Sequence, residues 1–210
     1  MKKLNVFLSY SNIDRRIAGL LKQYLETYSG FNAFLAHSDI SVSNNWRIKI
    51  IDSLNTTDVF IPLLTSSSKH SVFVNQEIGI AYALRKIILP IKIDTNPFGF
   101  IESLQALLCS TFSFQTLIQI CSKISVILIK DPALSKVQNT SFESLLFALN
   151  SSSCFRDTRI IMRMILESHP YIEMTQEYKQ YVKNCIDTNV QISGESFLLH
   201  TFKQLLKLEK

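Results

Sequence analysis

The chain is poor in glycine, with 5 among its 210 residues, and none of them builds a phosphate-binding loop. The patterns GxGxxG and GxxxxGK[ST], whose glycines let the backbone approach a diphosphate, do not occur. HExxH and GxSxG, which mark zinc proteases and serine hydrolases, are missing too. These absences exclude a conventional dinucleotide or P-loop phosphate site, and they exclude the active sites of two common classes of hydrolase.

Cysteine and clustered positive charge are also scarce. The 4 cysteines form no CxxC pair, so we expect reduced, mostly buried thiols and no metal site. The net charge of +5 is not concentrated in any run of Lys or Arg, so we expect no nucleic-acid partner, although the charge suits small anionic ligands. The apolar N-terminal segment is too short for a signal peptide, and residues 117–129 make a poor membrane span. We therefore expect no membrane partner and a cytoplasmic location.

Short apolar runs alternate with helical patterns through the first 130 residues. The predicted strands are 5–10, 31–36, 59–64, 87–93 and a weak fifth at 111–114, and the predicted helices are 11–28, 44–55, 71–86, 101–108 and 115–130. Five alternations favour an α/β fold: a five-stranded parallel sheet of flavodoxin-like order with helices on both faces. Pro62 and Pro90 count against fully hydrogen-bonded central strands, but their runs are long, apolar and regularly placed.

A domain boundary is predicted at Asp131-Pro132. It separates residues 1–130 from an α-helical C-terminal extension, 131–210, with predicted helices at 141–150, 157–168, 175–187 and 195–208. The last of these carries an apolar stripe that must be covered. We expect the extension to dock on the sheet domain or on a second subunit, and it contains no recognisable chemistry.

One acidic residue stands on an apolar helix face. The neighbours of Glu77 three and four positions away are Phe73, Val74, Ile80 and Ala81. A carboxylate is costly to bury, so Glu77 either reaches water at the edge of the apolar stripe or lines a cleft. In a flavodoxin-like sheet, ligands bind beyond the carboxyl ends of strands one and three, and Glu77 lies on the helix after strand three.

Three segments in this order resemble a Toll/interleukin-1 receptor (TIR) domain: FLSYSNID at 7–14, FLAHSDISVSNNW at 34–46 and SVFVNQEIGIA at 71–81. DTNPFGFIESLQAL at 94–107 resembles a bacterial branch, and the similarity covers about residues 4–130. The family often has Trp where this chain has Phe73, which keeps an aromatic wall. It commonly has Pro-Gly in the loop that here reads Ile-Ser-Val-Ser at 40–43.

The resemblance implies the same flavodoxin-like sheet and an activity. Many bacterial and plant TIR domains cleave NAD between nicotinamide and ribose, releasing nicotinamide and ADP-ribose or a cyclic isomer that serves as a signal. Their catalytic glutamate corresponds to Glu77. Some bacterial members are the sensing half of the Thoeris antiphage system, whose cyclic product activates a separate effector, and others act in virulence or as adaptors. NAD is then a substrate, and no cofactor is expected. The resemblance also implies self-association through TIR contacts.

Seven further residues are substrate-binding candidates. The hydroxyls of Ser9, Tyr10 and Ser11 would bond ribose or phosphate, or would only end a strand and cap a helix. The Trp46 ring would stack on a base or belong to the core. The Phe73 ring would form one wall of the site. Two loop residues would touch substrate or a neighbouring subunit: His37 and Asp39.

Three hypotheses therefore stay open. The chain is an NAD glycohydrolase or cyclase of antiphage defence, a non-catalytic TIR adaptor that signals by homotypic contacts, or a nucleoside-processing enzyme of similar fold such as a deoxyribosyltransferase. The sequence does not determine whether the product is linear or cyclic.

Overall fold

The computed structural model describes residues 1–35 and 46–207, apart from the side chains of Trp46, Ser196, Phe197 and Leu205. The chain forms two compact units. A sheet unit contains Leu4–Leu25 and Asn32–Ile120, and a helical unit contains Met1–Lys3, Glu26–Phe31 and Cys121–Lys210. The division falls inside one helix, Phe114–Lys130, and not at Asp131. The assignment of 1–130 and 131–210 as domains stays a prediction.

The sheet unit is built on parallel strands. They are β1 (Asn5–Ser9), β2 (Asn32–Leu35), β3 (Val59–Leu64), β4 (Ile87–Ile88), β5 (Ile91–Lys92) and β6 (Leu107–Leu108). Their order is β2-β1-β3-β5-β6, with β4 also beside β3, and every pairing is parallel. This order confirms the predicted flavodoxin-like sheet, with β4 and β5 as two halves of the predicted fourth strand.

The two prolines explain why the fourth strand is divided. β3 pairs with β4 at Val59 and Phe60 and with β5 at Leu63 and Leu64, so its ladder on that side skips Pro62. Leu89 and Pro90 fill the same gap between β4 and β5. Because proline donates no backbone hydrogen bond, placing both prolines at one interruption costs the sheet few ladder bonds.

The fifth strand lies earlier in the chain than predicted. Leu107 and Leu108 pair with β5, whereas residues 111–113 form no strand and Phe114 begins a helix. The predicted helix at 101–108 is correspondingly wrong, because only a 3₁₀ turn forms there, at Gly99–Ile101. The amide groups of Leu107 and Cys109 donate to the carbonyls of Pro90 and Lys92. Pairing with an existing strand edge thus overrides the local helical preference of this segment.

Helices cover the strands on both faces, since every residue of β3 is buried. The helices that begin within the sheet unit are α1 (Arg15–Tyr24), α2 (Trp46–Thr56), α3 (Ser66–Lys69), α4 (Val72–Ala83) and α5 (Phe114–Lys130). A 3₁₀ turn at Asn12–Asp14 precedes α1, and a π-helical turn at Leu25–Ser29 follows it. On one face, a buried cluster joins β1, β3, α2 and α4: Phe7, Ile50, Leu54, Phe60, Leu64, Val74, Ile78, Ala81 and Ile101. This cluster fixes α4 against the ends of β1 and β3.

The helical unit has an apolar core of its own. Its further helices are α6 (Ser135–Ser151), α7 (Phe155–Ser168), α8 (Gln176–Thr188), α9 (Val190–Ser193) and α10 (Ser196–Leu205). α7 packs against α6, α9 and α10, and the apolar stripe predicted for the last helix buries Phe202 and Leu206. No helix in the described part of the chain is both long and apolar enough to cross a membrane.

Gly30 is required by its surroundings in the helical unit. Its φ is +69°, and a Cβ atom there would lie 1.9 Å from the backbone oxygen of Ser144. A side chain would therefore meet both backbone strain and a steric overlap that backbone cannot easily relieve. Gly19, inside α1, has no atom within 4 Å of such a Cβ.

We predict opposite effects for alanine at these two glycines. Gly30→Ala should lower the free energy of unfolding by roughly 2–4 kcal/mol, from left-handed strain and overpacking. Gly19→Ala should raise it by about 1 kcal/mol, because alanine is the better helix former. Urea unfolding of both variants measures these changes, and equal effects of the two substitutions would contradict the prediction.

Candidate active site

The site is assembled at the carboxyl ends of β1 and β3, where the strand order reverses. α4 follows β3 and α3, and the Ser71 hydroxyl caps it by accepting a hydrogen bond from the Val74 amide, at the position where the predicted helix 71–86 begins. Glu77 lies in the middle of α4, on the side that also buries Val74, Ile78 and Ala81. Because that side faces the core cluster, Glu77 is only 2% exposed.

The carboxylate of Glu77 has one strong partner. The Ser9 hydroxyl, at the end of β1, donates to Oε2 at 2.5 Å. This is the short distance typical of a hydroxyl donating to an ionised oxygen. The other oxygen, Oε1, is buried and has no hydrogen-bond partner among residues 1–35 and 46–207. A half-satisfied buried carboxylate is costly, which is typical of a group retained for function.

Burial dominates the electrostatics of this group. Desolvation raises the pKa of Glu77 from 4.5 to about 7, and the hydrogen bond from Ser9 opposes that increase. At neutral pH the carboxyl group is therefore close to its midpoint of ionisation. A pKa in this range suits a group that must respond to charge developing beside it.

A small apolar cavity adjoins the carboxylate. It has a volume of about 100 Å³ and is lined by Arg47, Ile50, Ile51, Phe73, Gln76, Glu77 and Ile80. The isoleucines and Phe73 exclude water from one side of Glu77, which strengthens electrostatic interactions inside. The outer wall contains Phe73 and Ile51, whose exposed fractions are 41% and 44%.

A second, larger cavity is polar. It has a volume of about 660 Å³ and is lined by Ser11, Asn12, Ile13, Arg15, Ser67, His70, Ser71 and Phe73. These residues come from the segments that follow β1 and β3, and Phe73 lines both cavities. The arrangement offers a cation, an imidazole and several hydroxyl groups next to the apolar cavity.

A buried network holds the segment after β3 in place. Asp14, which is buried, accepts a hydrogen bond of 2.7 Å from the Thr65 hydroxyl. Thr65 also forms a capping box with Ser68, and the Ser66 amide donates to Asp94. Residues 66–69, which lie between the predicted strand 59–64 and the predicted helix 71–86, form the short helix α3, because side-chain caps satisfy its terminal groups.

The structure separates the predicted site residues into three groups. Ser9 and Tyr10 are fully buried and line neither cavity, whereas Ser11 lines the polar cavity and Phe73 lines both. The side chain of Ser11 makes no cap, although a helix cap is one of the two roles predicted for it. His37 and Asp39 lie outside the described residues, as does the side chain of Trp46. Their roles stay predictions.

Sequence reasoning did not identify every residue that lines the apolar cavity. Helical spacing identifies Ile80 as a neighbour of Glu77, whereas it does not identify Gln76, on the same helix. Arg47 and Ile51 come from α2, and only the packing of α2 against α4 brings them to this cavity. Across residues 1–35 and 46–207, no group of His, Cys, Asp and Glu side chains is arranged to hold a metal ion.

Comparisons with known proteins identify a family. The family model described as TIR domain matches residues 6–119, which is more than half of the chain. A search of curated protein sequences finds no match.

Three solved structures are similar at low identity. The TIR domain of the Toll-related receptor TRR-2 from Hydra magnipapillata is 13% identical with a TM-score of 0.48, over 60% of this chain and 98% of that one. The TIR domains of the activated Roq1 resistosome, which recognises the pathogen effector XopQ, are 16% identical with a TM-score of 0.40, over 79% and 99%. A 2-desoxiribosyltransferase from Leishmania mexicana is 18% identical with a TM-score of 0.37, over 52% and 77%.

Removing the charge of Glu77 should stabilise the fold at neutral and alkaline pH. Because its folded-state pKa is raised, the stability that Glu77 contributes is fully present below pH 4.5 and is lost as pH rises through about 7. The neutral variant Glu77→Gln should therefore gain roughly 3 kcal/mol relative to the native chain between pH 4.5 and pH 8. Urea unfolding at a series of pH values measures this difference.

The exposed Glu102 provides the matched control. Glu102→Gln removes a carboxylate at an exposed position and should not reproduce the gain expected for Glu77→Gln. If the difference in unfolding free energy between Glu77→Gln and the native chain did not change between pH 4.5 and pH 8, the raised pKa of Glu77 would be refuted.

Proposed function

Since this chain belongs to the TIR-domain family, we propose that it cleaves NAD between nicotinamide and ribose, with Glu77 as the catalytic carboxylate. The observation that carries the proposal is the environment of that side chain. It is buried, it lines a cavity, and one of its two oxygens has no partner in the described part of the chain.

The chemistry of the reaction explains why a carboxylate is held in an apolar setting. When the bond between C1′ and the nicotinamide nitrogen breaks, its electron pair leaves with neutral nicotinamide, and positive charge develops on the ribose. A fixed carboxylate stabilises that charge, and does so more strongly where water is excluded. Oε1 of Glu77 is available to the ribose hydroxyls, while Oε2 stays with Ser9.

The attacking group determines the product. Water that adds to C1′ and loses a proton gives ADP-ribose. A ribose or adenine nucleophile of the same molecule gives a cyclic isomer. The proposal covers both outcomes, with NAD as the substrate and no cofactor.

The ionisation of Glu77 fits a cationic substrate. With a pKa of about 7, raised by burial, the side chain is only partly ionised at neutral pH. The nicotinamide ring of NAD carries a positive charge, and an opposite charge within a few ångströms favours the ionised carboxylate. Binding of NAD would therefore complete the ionisation that the reaction requires.

The two cavities would divide the substrate between them. The apolar cavity, at about 100 Å³, is smaller than most ligand sites, so the exposed side chains of Phe73 and Ile51 would turn outward as the nicotinamide end enters. The polar cavity would receive the diphosphate, where Arg15, His70 and the N-terminus of α4 favour negative charge. Phe73, which lines both, would separate the two parts.

TIR-domain membership also supports a signalling role. We propose self-association through TIR contacts, and a cyclic product that acts on a separate effector in antiphage defence of the Thoeris type. His37 and Asp39 are proposed to contact substrate or a neighbouring copy. These proposals rest on family resemblance and not on a contact in the described residues.

Glu77→Gln should abolish NAD cleavage while the fold is retained. We expect nicotinamide release, followed by chromatography, to fall by at least about 10²-fold, because the carboxylate stabilises the transition state. Glu102→Gln, at an exposed position of the same unit, should retain full activity. Equal turnover by both variants would remove Glu77 from the mechanism.

The same assay separates the alternatives. No NAD turnover by the native chain, even when it is clustered on a scaffold, would favour a non-catalytic adaptor, and partner binding would then survive Glu77→Gln. Base exchange on deoxynucleosides without loss of NAD would favour a deoxyribosyltransferase.

Phe73 should act as an aromatic wall. Phe73→Ala should lower kcat/KM for NAD by about tenfold, because an aromatic contact contributes on the order of 1 kcal/mol. Phe73→Trp, which restores the residue common in the family, should retain activity. Steady-state kinetics of the two variants tests this, and a fully active Phe73→Ala would contradict it.

A further inference from the structure

We infer that Ser9 is a positioning residue for the catalytic carboxylate and not a ligand of the substrate. This inference rests on the proposed function, because it concerns the side chain that the proposal makes catalytic. It goes beyond that function by assigning a role to a residue on a different element of the sheet unit.

The Ser9 hydroxyl is out of reach of both cavities. Ser9 is fully buried, and it lines neither the apolar cavity nor the polar one. A substrate in either cavity would therefore not reach its hydroxyl. The only side chain to which that hydroxyl is seen to donate in the described part of the chain is Glu77.

Both partners of the hydrogen bond between Ser9 and Glu77 lie on elements of regular secondary structure. Ser9 ends β1 and lies in register with Pro62 of β3, so its backbone belongs to the central ladder of the sheet. Glu77 is held on α4 by buried neighbours on the same face. A hydroxyl on a fixed strand that donates to a carboxylate on a fixed helix restricts the carboxylate to one orientation, which keeps Oε1 as its open oxygen.

The Ser9 hydroxyl also affects the ionisation of Glu77. Near Glu77, burial disfavours the charged form and the hydrogen bond from Ser9 favours it. The described residues contribute no other favourable cause to this balance. Removal of the hydroxyl should therefore leave the carboxylate both less oriented and harder to ionise.

A carboxyl titration tests the inference without any need for activity. The protein is labelled with ¹³C at the glutamate carboxyl, and the Glu77 signal is identified by its loss in Glu77→Gln. We expect Ser9→Ala to raise the pKa of Glu77 by about one unit, since hydrogen bonds to charged groups contribute about 1.4 kcal/mol or more. Ser9→Thr, which keeps the hydroxyl, should restore the native titration, and Ser103→Ala, at an exposed position, should leave it unchanged.

Kinetics provides the second measurement. The acid limb of the pH profile of kcat for NAD cleavage should move to higher pH in Ser9→Ala by the same shift, with KM nearly unchanged. An unchanged Glu77 titration in a folded Ser9→Ala would overturn the inference. So would a higher KM with an unshifted pH profile, because that result would make Ser9 a substrate ligand.

The two measurements distinguish this inference from the proposed function. If the Glu77 titration shifts in Ser9→Ala but the native chain releases no nicotinamide, the contact between Ser9 and Glu77 stands and the proposed function fails. If the native chain cleaves NAD but Ser9→Ala shows neither change, the function stands and the positioning role fails.

Discussion

The hydrogen bond between Ser9 and Glu77 connects two residues 68 positions apart and determines how the rest of the site is arranged. Glu77 lies on the side of α4 that packs on the sheet, where the other buried residues are apolar, and nearly all of the Glu77 surface is buried. Water no longer solvates the carboxylate, and one hydroxyl replaces only part of that solvation. The surrounding fold must therefore tolerate a destabilising group, as proteins commonly do at functional sites.

In the sheet unit, the apolar cluster beneath α4 offsets the destabilising effect of the buried Glu77 carboxylate. Phe7 and Phe60 stack with ring centroids 5.6 Å apart, and Phe7 also contacts Phe34. These rings, together with Val74 and Ile78, bury enough apolar surface to hold α4 in place although it carries a charge on its inner side. The same rigidity that opposes the loss of stability makes the position of the carboxylate well defined, which is what transition-state stabilisation requires.

The helical unit has its own core, which involves segments that are distant in sequence. Its core is continuous across α6, α7, α9 and α10, and α7 contacts the other three. The N-terminal residues Lys2 and Lys3 belong to the same unit, where Lys2 donates to Glu143 and Lys3 lies over the ring of Phe147. Segments distant in sequence thus complete this unit.

Local patterns in the sequence were enough to predict the parallel sheet, its strand order and the position of Glu77 near the carboxyl ends of β1 and β3, because apolar periodicity and the motifs of the TIR family can be recognised without knowing how the elements pack. The same patterns located the start of α4 at Ser71, where the helix cap depends only on neighbouring residues. The prediction misplaced the last strand. Leu107 and Leu108 have a local preference for helix, but they form a strand because they pair with β5. Tertiary packing was needed to reveal that Glu77 is buried and not at the edge of an apolar stripe, that the Ser9 hydroxyl donates to this carboxylate, and that Arg47 lines the cavity. Burial and long-range contacts depend on how separate elements pack, and no spacing within a single helix or strand contains that information.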